Sequence, residues 1–184
     1  MAKPDITYNG KFVFWFGHGN FKKKSFDATS GRNGHQTAAE QDISNTGPIP
    51  EGEYSFSIKL AGTAHVVNAD PDNFELDSRQ GIESLVDMKD DKGKPHNSND
   101  WGTNRVRLNV IKIFNGDAKH RNGFYLHDSH KGQTHGCVEV DTAFFKLLRK
   151  FAEQEAKKTN GVKLMNLLVK YPSPTASTRG ATLK

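Results

Sequence analysis

The sequence is poor in hydrophobic residues and contains a single cysteine. Hydrophobic residues make up 34% of its 184 residues, a low share for a globular protein, and its 17 glycines indicate many turns. No apolar run approaches the roughly 20 residues that a membrane span needs, so we expect no membrane insertion. One cysteine excludes an internal disulfide. The composition therefore predicts a loop-rich protein whose core has no covalent cross-link.

The N-terminal segment lacks the features of an export signal. One early lysine precedes a short aromatic run, and no small-residue cleavage site follows that run. A secretory signal peptide needs a charged start, an apolar stretch and such a site. We therefore expect a protein made in the cytoplasm without a signal peptide, which would need another export route to act elsewhere.

The basic residues are scattered along the chain. The formal net charge is only +5, and basic residues occur at positions 22–24, in the late helical segment and in the tail. Nucleic-acid binders usually gather such residues on one face among aromatic side chains. We therefore expect no nucleic-acid partner, although a weakly basic surface is compatible with an anionic polymer such as a cell wall.

Apolar and polar residues alternate in several short segments, which is the pattern of half-buried strands. This pattern predicts strands at residues 11–16, 54–58, 105–114 and 162–171. The segments between the first three strands, residues 17–46 and 62–104, are polar and rich in turn-forming residues, so we expect long loops there.

Residues 141–161 carry the clearest helical pattern in the chain. Asp141 is a suitable N-cap, and Phe144, Leu148, Phe151 and Ala152 recur on one helical face. The sequence therefore predicts a mostly β (α+β) fold, a sandwich or small barrel with one main helix. We expect a single domain at 1–171 and a flexible C-terminal tail at 172–184, where two prolines occur without an apolar pattern.

The segment FYLHDSHKGQTHGCVEV places a histidine and the cysteine at the two ends of a short loop. Side chains alternate between the two faces of a strand. Packing the apolar residues of both flanking strands into the core leaves His127 and Cys137 together on the opposite face. The apolar residues are Phe124, Leu126, Val138 and Val140.

A cysteine beside a histidine is suited to nucleophilic catalysis. Only the thiolate attacks well, and an imidazole can accept the thiol proton and return it to a leaving amine. Gly136 would let the backbone bend closely around a substrate carbonyl, and backbone N–H groups near Gly136 and Cys137 would form an oxyanion hole that His135 could complete. From these residues alone, an inert buried cysteine remains an equal alternative.

The motif THGCVEV with its upstream histidine resembles the active-site signature of the L,D-transpeptidases. The short spacer, together with TSG at 29–31 and GPIPEGEY at 47–54, resembles the L,D-transpeptidase-like effectors of type VI secretion. The resemblance implies an L,D-transpeptidase-like fold in which Cys137 is the acylated nucleophile and His127 its general base. His135 and Gly136 would then shape the oxyanion pocket, and no cofactor would be needed.

The resemblance also implies a substrate and a place of action. Such enzymes act on peptidoglycan stem peptides, as L,D-carboxypeptidases that remove the terminal D-Ala of tetrapeptides or as L,D-transpeptidases that exchange D-amino acids. The protein would be an antibacterial toxin secreted into the periplasm of a target bacterium, with a cognate immunity protein and type VI secretion components as partners. Glu139 and Asp128 depart from the family pattern, and the sequence assigns neither a role.

Candidate substrate-binding residues lie outside the nucleophile pair. We expect Ser30, Thr134 and Arg121 to contact the substrate, the arginine because a guanidinium fork matches a carboxylate. Arg105 and Arg107 are alternatives to Arg121, and Ser30 with its neighbour could instead form a tight turn.

Two other kinds of function remain open. His127, Asp128, His130 and His135 lie within nine positions, as a zinc-dependent carboxypeptidase could require. The HExxH spacing is absent, so we expect no metal. A non-enzymatic cell-wall-binding module is the second alternative, and its effect on cells would survive Cys137→Ala.

Overall fold

The computed structural model describes residues 3–70, 74–96 and 101–183. Strands account for 36% of the chain and helix for 12%, which confirms the mostly β prediction. Two short 3-10 helices occur at Ala38–Glu40 and Gly116–Ala118. The strands of the described ranges are β1 (Ile6–Tyr8), β2 (Phe12–Trp15), β3 (Lys24–Ser30), β4 (Gly52–Ser57), β5 (Leu60–Thr63), β6 (Val66–Asn68), β7 (Glu75–Leu76), β8 (Ile82–Ser84), β9 (Met88–Lys89), β10 (Pro95–His96), β11 (Asn104–Arg107), β12 (Asn109–Ile113), β13 (Tyr125–His127), β14 (Val138–Val140) and β15 (Leu164–Val169).

One large sheet organises the described part of the molecule. Its order is β12-β4-β15-β1-β2-β3-β14-β13-β11-β8-β5. The pairs β1–β15, β13–β14 and β5–β8 are parallel, and the other neighbours are antiparallel. The remaining short strands form the two-stranded sheets β9–β10 and β6–β7. The strands β13 and β14 therefore lie inside the large sheet, with a neighbour on each side.

The large sheet curls so that its two parts face each other. Only Leu108 separates β11 from β12, yet β12 is an edge strand and β11 lies beside β13, far along the strand order. The chain passes at Leu108 from one part of the sheet to the other, as in a sandwich or barrel. The prediction of one continuous strand over 105–114 was therefore wrong, because the two halves pair with different partners.

Several strands of the large sheet lie where the sequence predicted none. The strand β1 precedes the expected first strand, and β3 lies within the segment 17–46 that we expected to be a loop. In the segment 62–104 most strands have two or three residues, and β8 alone of the strands that lie wholly within it joins the large sheet. Residues 71–73 and 97–100 of that segment lie outside the described residues.

The helix α1 (Thr142–Ala156) packs its apolar face against the sheet. Asp141 caps it by accepting a hydrogen bond from the Ala143 amide at 2.8 Å, as predicted. Among the described residues, no helix is long and apolar enough to cross a membrane. The predicted helix-face residues are all buried in the main core: Phe144, Leu148, Phe151 and Ala152.

The segment after Tyr171 lies against β3, whereas we expected it to be flexible. Thr178 is fully buried, and its hydroxyl donates to the Ser30 carbonyl oxygen at 2.7 Å. The Thr182 hydroxyl donates to the Thr29 hydroxyl at 2.8 Å. The Ser30 carbonyl oxygen and the Thr29 hydroxyl thus hold the tail by polar contacts, which an absent apolar pattern could not indicate. Residue 184 lies outside the described residues.

Candidate active site

The parallel pair β13–β14 carries the predicted histidine and cysteine. Leu126 is level with Val138 and His127 with Glu139 in this pair. Cys137 immediately precedes β14, so it lies on the same face as Glu139 and diagonal to His127. The apolar residues on the other face were predicted to be core, and all of them are: Phe124, Leu126, Val138 and Val140.

A cavity of about 280 Å³ opens on the face that carries His127 and Cys137, and both residues line it. Thr134 and His135 of the connecting loop, which are both candidate site residues, also line it. The remaining lining residues, which sequence reasoning missed, are Arg32, Trp101, Lys131 and Gln133.

The Cys137 thiol is 8% exposed and in its neutral form. Burial raises its pKa to about 11, and this effect exceeds the opposing ones. A hydrogen bond from the Tyr125 backbone and the positive charges of Arg105 and Arg121 lower the pKa in part. A thiol with this pKa is protonated at neutral pH and needs a base to become a nucleophile.

The carbonyl oxygen of Cys137 is fixed by two buried hydroxyl groups. The Ser30 hydroxyl donates to it at 2.7 Å and the Thr134 hydroxyl at 2.6 Å. The Ser30 oxygen also accepts from the Ile49 amide at 2.8 Å. Ser30 is fully buried and does not line the cavity, so the structure corrects the substrate-binding role expected for it. Thr134 lines the cavity, but its hydroxyl proton is directed to the backbone.

Gly136, which precedes Cys137, packs against Arg121. Gly136 has φ +102°, which favours glycine, and a Cβ there would overlap the guanidinium of Arg121. That guanidinium donates to the carbonyl oxygens of Gln41 at 2.6 Å, Pro48 at 2.5 Å and Gly47 at 3.1 Å. Arg121 is 6% exposed and does not line the cavity, so the structure corrects its expected role as a substrate contact. It supports the loop instead.

The other candidate arginines also contact the protein itself. Arg105 is 2% exposed, donates to Glu83 at 2.7 Å and stacks on the rings of Trp101 and Tyr125. Arg107 donates to the Ser78 hydroxyl. Neither of them lines the cavity. The cationic side chains at the cavity wall are instead Arg32 and Lys131.

The His127 ring is held from two sides. Its Nδ1 lies 3.1 Å from the Ser129 hydroxyl, which in turn donates to the Glu139 carboxylate. The Trp101 ring meets the imidazole edge to face, with 5.4 Å between ring centroids. His127 is 3% exposed, so these contacts rather than solvent determine its orientation.

Asp128 organises the segment that carries Trp101. One of its carboxylate oxygens accepts from the Thr103 amide at 2.6 Å and the Asn104 amide at 2.7 Å. The other accepts from the Thr103 hydroxyl and the Asn104 side-chain amide, both at 2.8 Å. Gly102 has φ +75°, and a Cβ there would overlap the Asp128 backbone. Asp128, to which sequence analysis assigned no role, thus holds the segment that places Trp101 at the cavity wall.

The side chains proposed for the zinc alternative do not converge. The Asp128 carboxylate is engaged by four donors, and His130 Nε2 lies 3.2 Å from the Thr142 hydroxyl. Across the ranges that the structure describes, no group of three or more His, Cys, Asp or Glu side chains could hold a metal ion. This arrangement does not supply the ligand set that the zinc alternative requires.

Comparison with protein families and with curated proteins finds no match. The chain matches none of the protein-family models against which it was searched, and no curated protein matches it. The geometry of the cavity and the motif around Cys137 therefore carry what can be inferred about function.

Proposed function

We propose that this protein is a cysteine-dependent acyl-transfer enzyme that acts on peptidoglycan stem peptides. The observation that carries the proposal is that His127 and Cys137 line one cavity, at the two ends of the loop that joins β13 to β14. The thiol is protonated at neutral pH, so the reaction needs a base, and the His127 imidazole at the same cavity can accept the thiol proton.

The first half of the reaction forms a thioester. His127 accepts the thiol proton while Cys137 sulfur attacks the carbonyl carbon of the scissile peptide bond. The resulting oxyanion is stabilised by the backbone N–H of Cys137, since the Gly136 N–H donates to the Thr134 hydroxyl at 3.3 Å. When the carbon–nitrogen bond breaks, the imidazolium returns the proton to the leaving amine, which departs as free D-alanine.

The second half of the reaction releases the acyl group. Water loses a proton to His127 and attacks the thioester, which gives a free carboxylate and the restored thiol. If the amino group of a D-amino acid attacks instead, the product carries a new D-residue. The two outcomes correspond to L,D-carboxypeptidase and L,D-transpeptidase activity, and they differ only in the nucleophile admitted to the cavity.

The chemistry of the cavity wall supports a carboxylate-bearing peptide as substrate. Arg32 and Lys131 place two positive charges at the wall beside the thiol. The Gln133 side chain adds an amide group that can pair with a peptide bond. A stem tetrapeptide offers peptide bonds and a terminal carboxylate, and the THGC motif resembles the signature of enzymes that cleave it.

The function is tested by mass spectrometry of purified muropeptides incubated with the wild-type protein or Cys137→Ala. Loss of one alanine from tetrapeptides indicates hydrolysis, and a mass change to another D-amino acid, when one is added, indicates exchange. We expect Cys137→Ala to reduce either product to background, because no other thiol exists in the chain. An unchanged digest with the wild-type protein would contradict the proposal.

Two controls separate this enzyme from the alternatives. Iodoacetamide should abolish the wild-type activity and a chelator should leave it intact, whereas a zinc carboxypeptidase would show the opposite pattern. A tetrapeptide with a carboxamide terminus reports whether the carboxylate is recognised, and we expect it to be cleaved more slowly.

The proposed role in cells is that of a secreted antibacterial effector with a cognate immunity protein. Production in a Gram-negative host with an added export signal should lyse cells or stop their growth, whereas production without the signal should not. Cys137→Ala should remove this toxicity. A wall-binding module would remain toxic after that substitution.

A further inference from the structure

The Glu139 carboxylate is buried beside the loop that connects β13 to β14. It is fully shielded from solvent and accepts hydrogen bonds from the Ser129 hydroxyl, the Lys131 amide at 3.0 Å and the Gly132 amide at 2.8 Å. A carboxyl group that only accepts, from three donors, is suited to its ionised form. A negative charge is therefore held next to the residues that form the cavity wall.

The hydrogen bonds around Ser129 define the proton position on His127. A serine hydroxyl has one hydrogen, and here that hydrogen is donated to Glu139. The Ser129 oxygen can then only accept from His127 Nδ1, which lies 3.1 Å away. Neutral His127 must carry its proton on Nδ1, and its basic lone pair is on Nε2.

We propose that Ser129 and Glu139 are positioning residues that fix this tautomer and stabilise the imidazolium formed during catalysis. This inference rests on the function proposed above. When Cys137 sulfur attacks, its proton moves to Nε2, while the Nδ1 proton stays in its hydrogen bond to Ser129. Glu139 remains ionised throughout, and its charge offsets that of the imidazolium across the Ser129 hydroxyl. Both residues act through His127 without touching the substrate.

Two substitutions test the proposed roles of Ser129 and Glu139 by steady-state kinetics on the full chain. Ser129→Ala removes the acceptor for Nδ1, and Glu139→Gln removes the charge but keeps the side-chain shape. A carboxylate bonded directly to a catalytic imidazole is worth about 10⁴-fold in kcat in a serine-protease triad. Through an intervening hydroxyl we expect a loss of roughly 100-fold in kcat with little change in KM. Glu153→Gln, on the exposed face of α1, is the matched control and should retain activity.

The pH profile distinguishes this role from simple support of the loop. Besides Glu139, the charged and titratable groups near His127 are Asp128 next to it in the chain, Arg105 on the adjacent strand, and Arg32, Lys131, His135 and Cys137 around the cavity. These groups are unchanged in Glu139→Gln, whereas the negative charge that favours the imidazolium is lost. The acidic limb of kcat/KM should therefore move to lower pH, by about one unit. A fall in kcat/KM without this shift of the acidic limb would overturn the proposed roles of Ser129 and Glu139.

The tautomer can be measured without activity. Nitrogen-15 NMR of the imidazole rings should show His127 protonated at Nδ1 in the wild-type protein and in Cys137→Ala. A proton found on Nε2 would overturn the inference even where the variants of Ser129 and Glu139 fail to fold. If the tautomer is as expected but muropeptides are not processed, the proposed function fails and the positioning of His127 stands.

Discussion

At the scale of single residues, the main feature is a thiol whose surroundings favour its neutral form. Burial raises the pKa of Cys137 to about 11, although Arg105 and Arg121 supply positive charge nearby. Proton removal must therefore accompany attack on the substrate, since almost no thiolate exists beforehand at neutral pH. The positive charges of Arg105 and Arg121 stabilise the Cys137 thiolate as the proton leaves.

The first prediction concerns alkylation of Cys137 by iodoacetamide in His127→Ala. Because the raised pKa keeps the thiol protonated to higher pH, the rate should reach half its maximum near pH 11, whereas an ordinary thiol reaches half its maximum near pH 8.5. The wild-type protein should react faster than the variant at pH 7. Mass spectrometry of the adduct measures both rates.

Cys137→Ala is the control for this experiment, because the chain has no second cysteine and the variant should form no thiol adduct. Circular dichroism at each pH must show that His127→Ala stays folded. A half-maximal rate near pH 8.5 in the folded variant would contradict the expected burial of the thiol.

At the scale of elements, the segment that carries Trp101 depends on β13 through one carboxylate. Asp128 follows β13 directly and accepts four hydrogen bonds from Thr103 and Asn104. Because Asn104 is half-buried, its donors would be only partly satisfied by water after losing this carboxylate, whereas those of the exposed Thr103 could turn to solvent. The position of the Trp101 ring against His127 thus depends on the residue that follows His127 in the chain.

The second prediction is that Asp128→Ala both destabilises the protein and opens the cavity. Hydrogen bonds to a charged group contribute about 1.5–3 kcal/mol each, and we expect the free energy of unfolding to fall by about 3 kcal/mol after partial relaxation. KM should rise, because Trp101 no longer forms a fixed wall. Urea denaturation and quenching of tryptophan fluorescence by acrylamide measure the two effects.

Asp117→Ala removes an exposed aspartate and serves as the matched control, with an expected change within about 0.5 kcal/mol. If Asp128→Ala were as stable as this control, the network around Thr103 and Asn104 would not support the loop.

The strand β3 shows why part of the sheet could not be predicted from sequence. Its residues are largely polar, and a polar segment usually indicates a loop. Phe26 and Ala28 face the core. Thr29 and Ser30 are buried by the tail and the 47–50 segment, whose backbone amides donate to the two hydroxyl groups. These partners are distant in sequence, so no local pattern reveals them.

The shared face of His127 and Cys137 could be predicted from the sequence, whereas Arg32 and Lys131 at the cavity wall could not. Strand alternation around Leu126 and Val138 placed His127 and Cys137 on one face because period-two geometry is local. Arg32 lies in the loop after β3. Lys131 lies in the loop between β13 and β14, where apolar and polar residues do not alternate regularly. Which loop side chains face a cavity depends on tertiary contacts, such as the bonds from the Lys131 and Gly132 backbones to Glu139.

At the scale of the whole molecule, the C-terminal segment is linked to the backbone of Cys137 through Ser30. The Ser30 amide donates to the Thr178 carbonyl oxygen at 2.9 Å, and the Thr178 hydroxyl donates to the Ser30 carbonyl oxygen at 2.7 Å. The Ser30 hydroxyl in turn holds the Cys137 carbonyl oxygen. Gln36 accepts from the Thr178 amide at 2.8 Å, and its side chain donates to the Gly132 carbonyl oxygen of the cavity loop at 2.8 Å.

The third prediction is that removing residues 178–184 lowers both stability and activity. The hydrogen bonds to Thr29, Ser30 and Gln36 are lost, and at about 1 kcal/mol each they predict a free energy of unfolding reduced by about 3–5 kcal/mol. Because Ser30 also holds the Cys137 carbonyl, kcat should fall even at temperatures where the truncated chain is folded. Thr178→Val should reproduce part of both effects, whereas Thr175→Val, at an exposed position of the same segment, should change neither. A truncated chain with wild-type stability and kcat would show that β3 and the cavity loop hold their geometry without the tail.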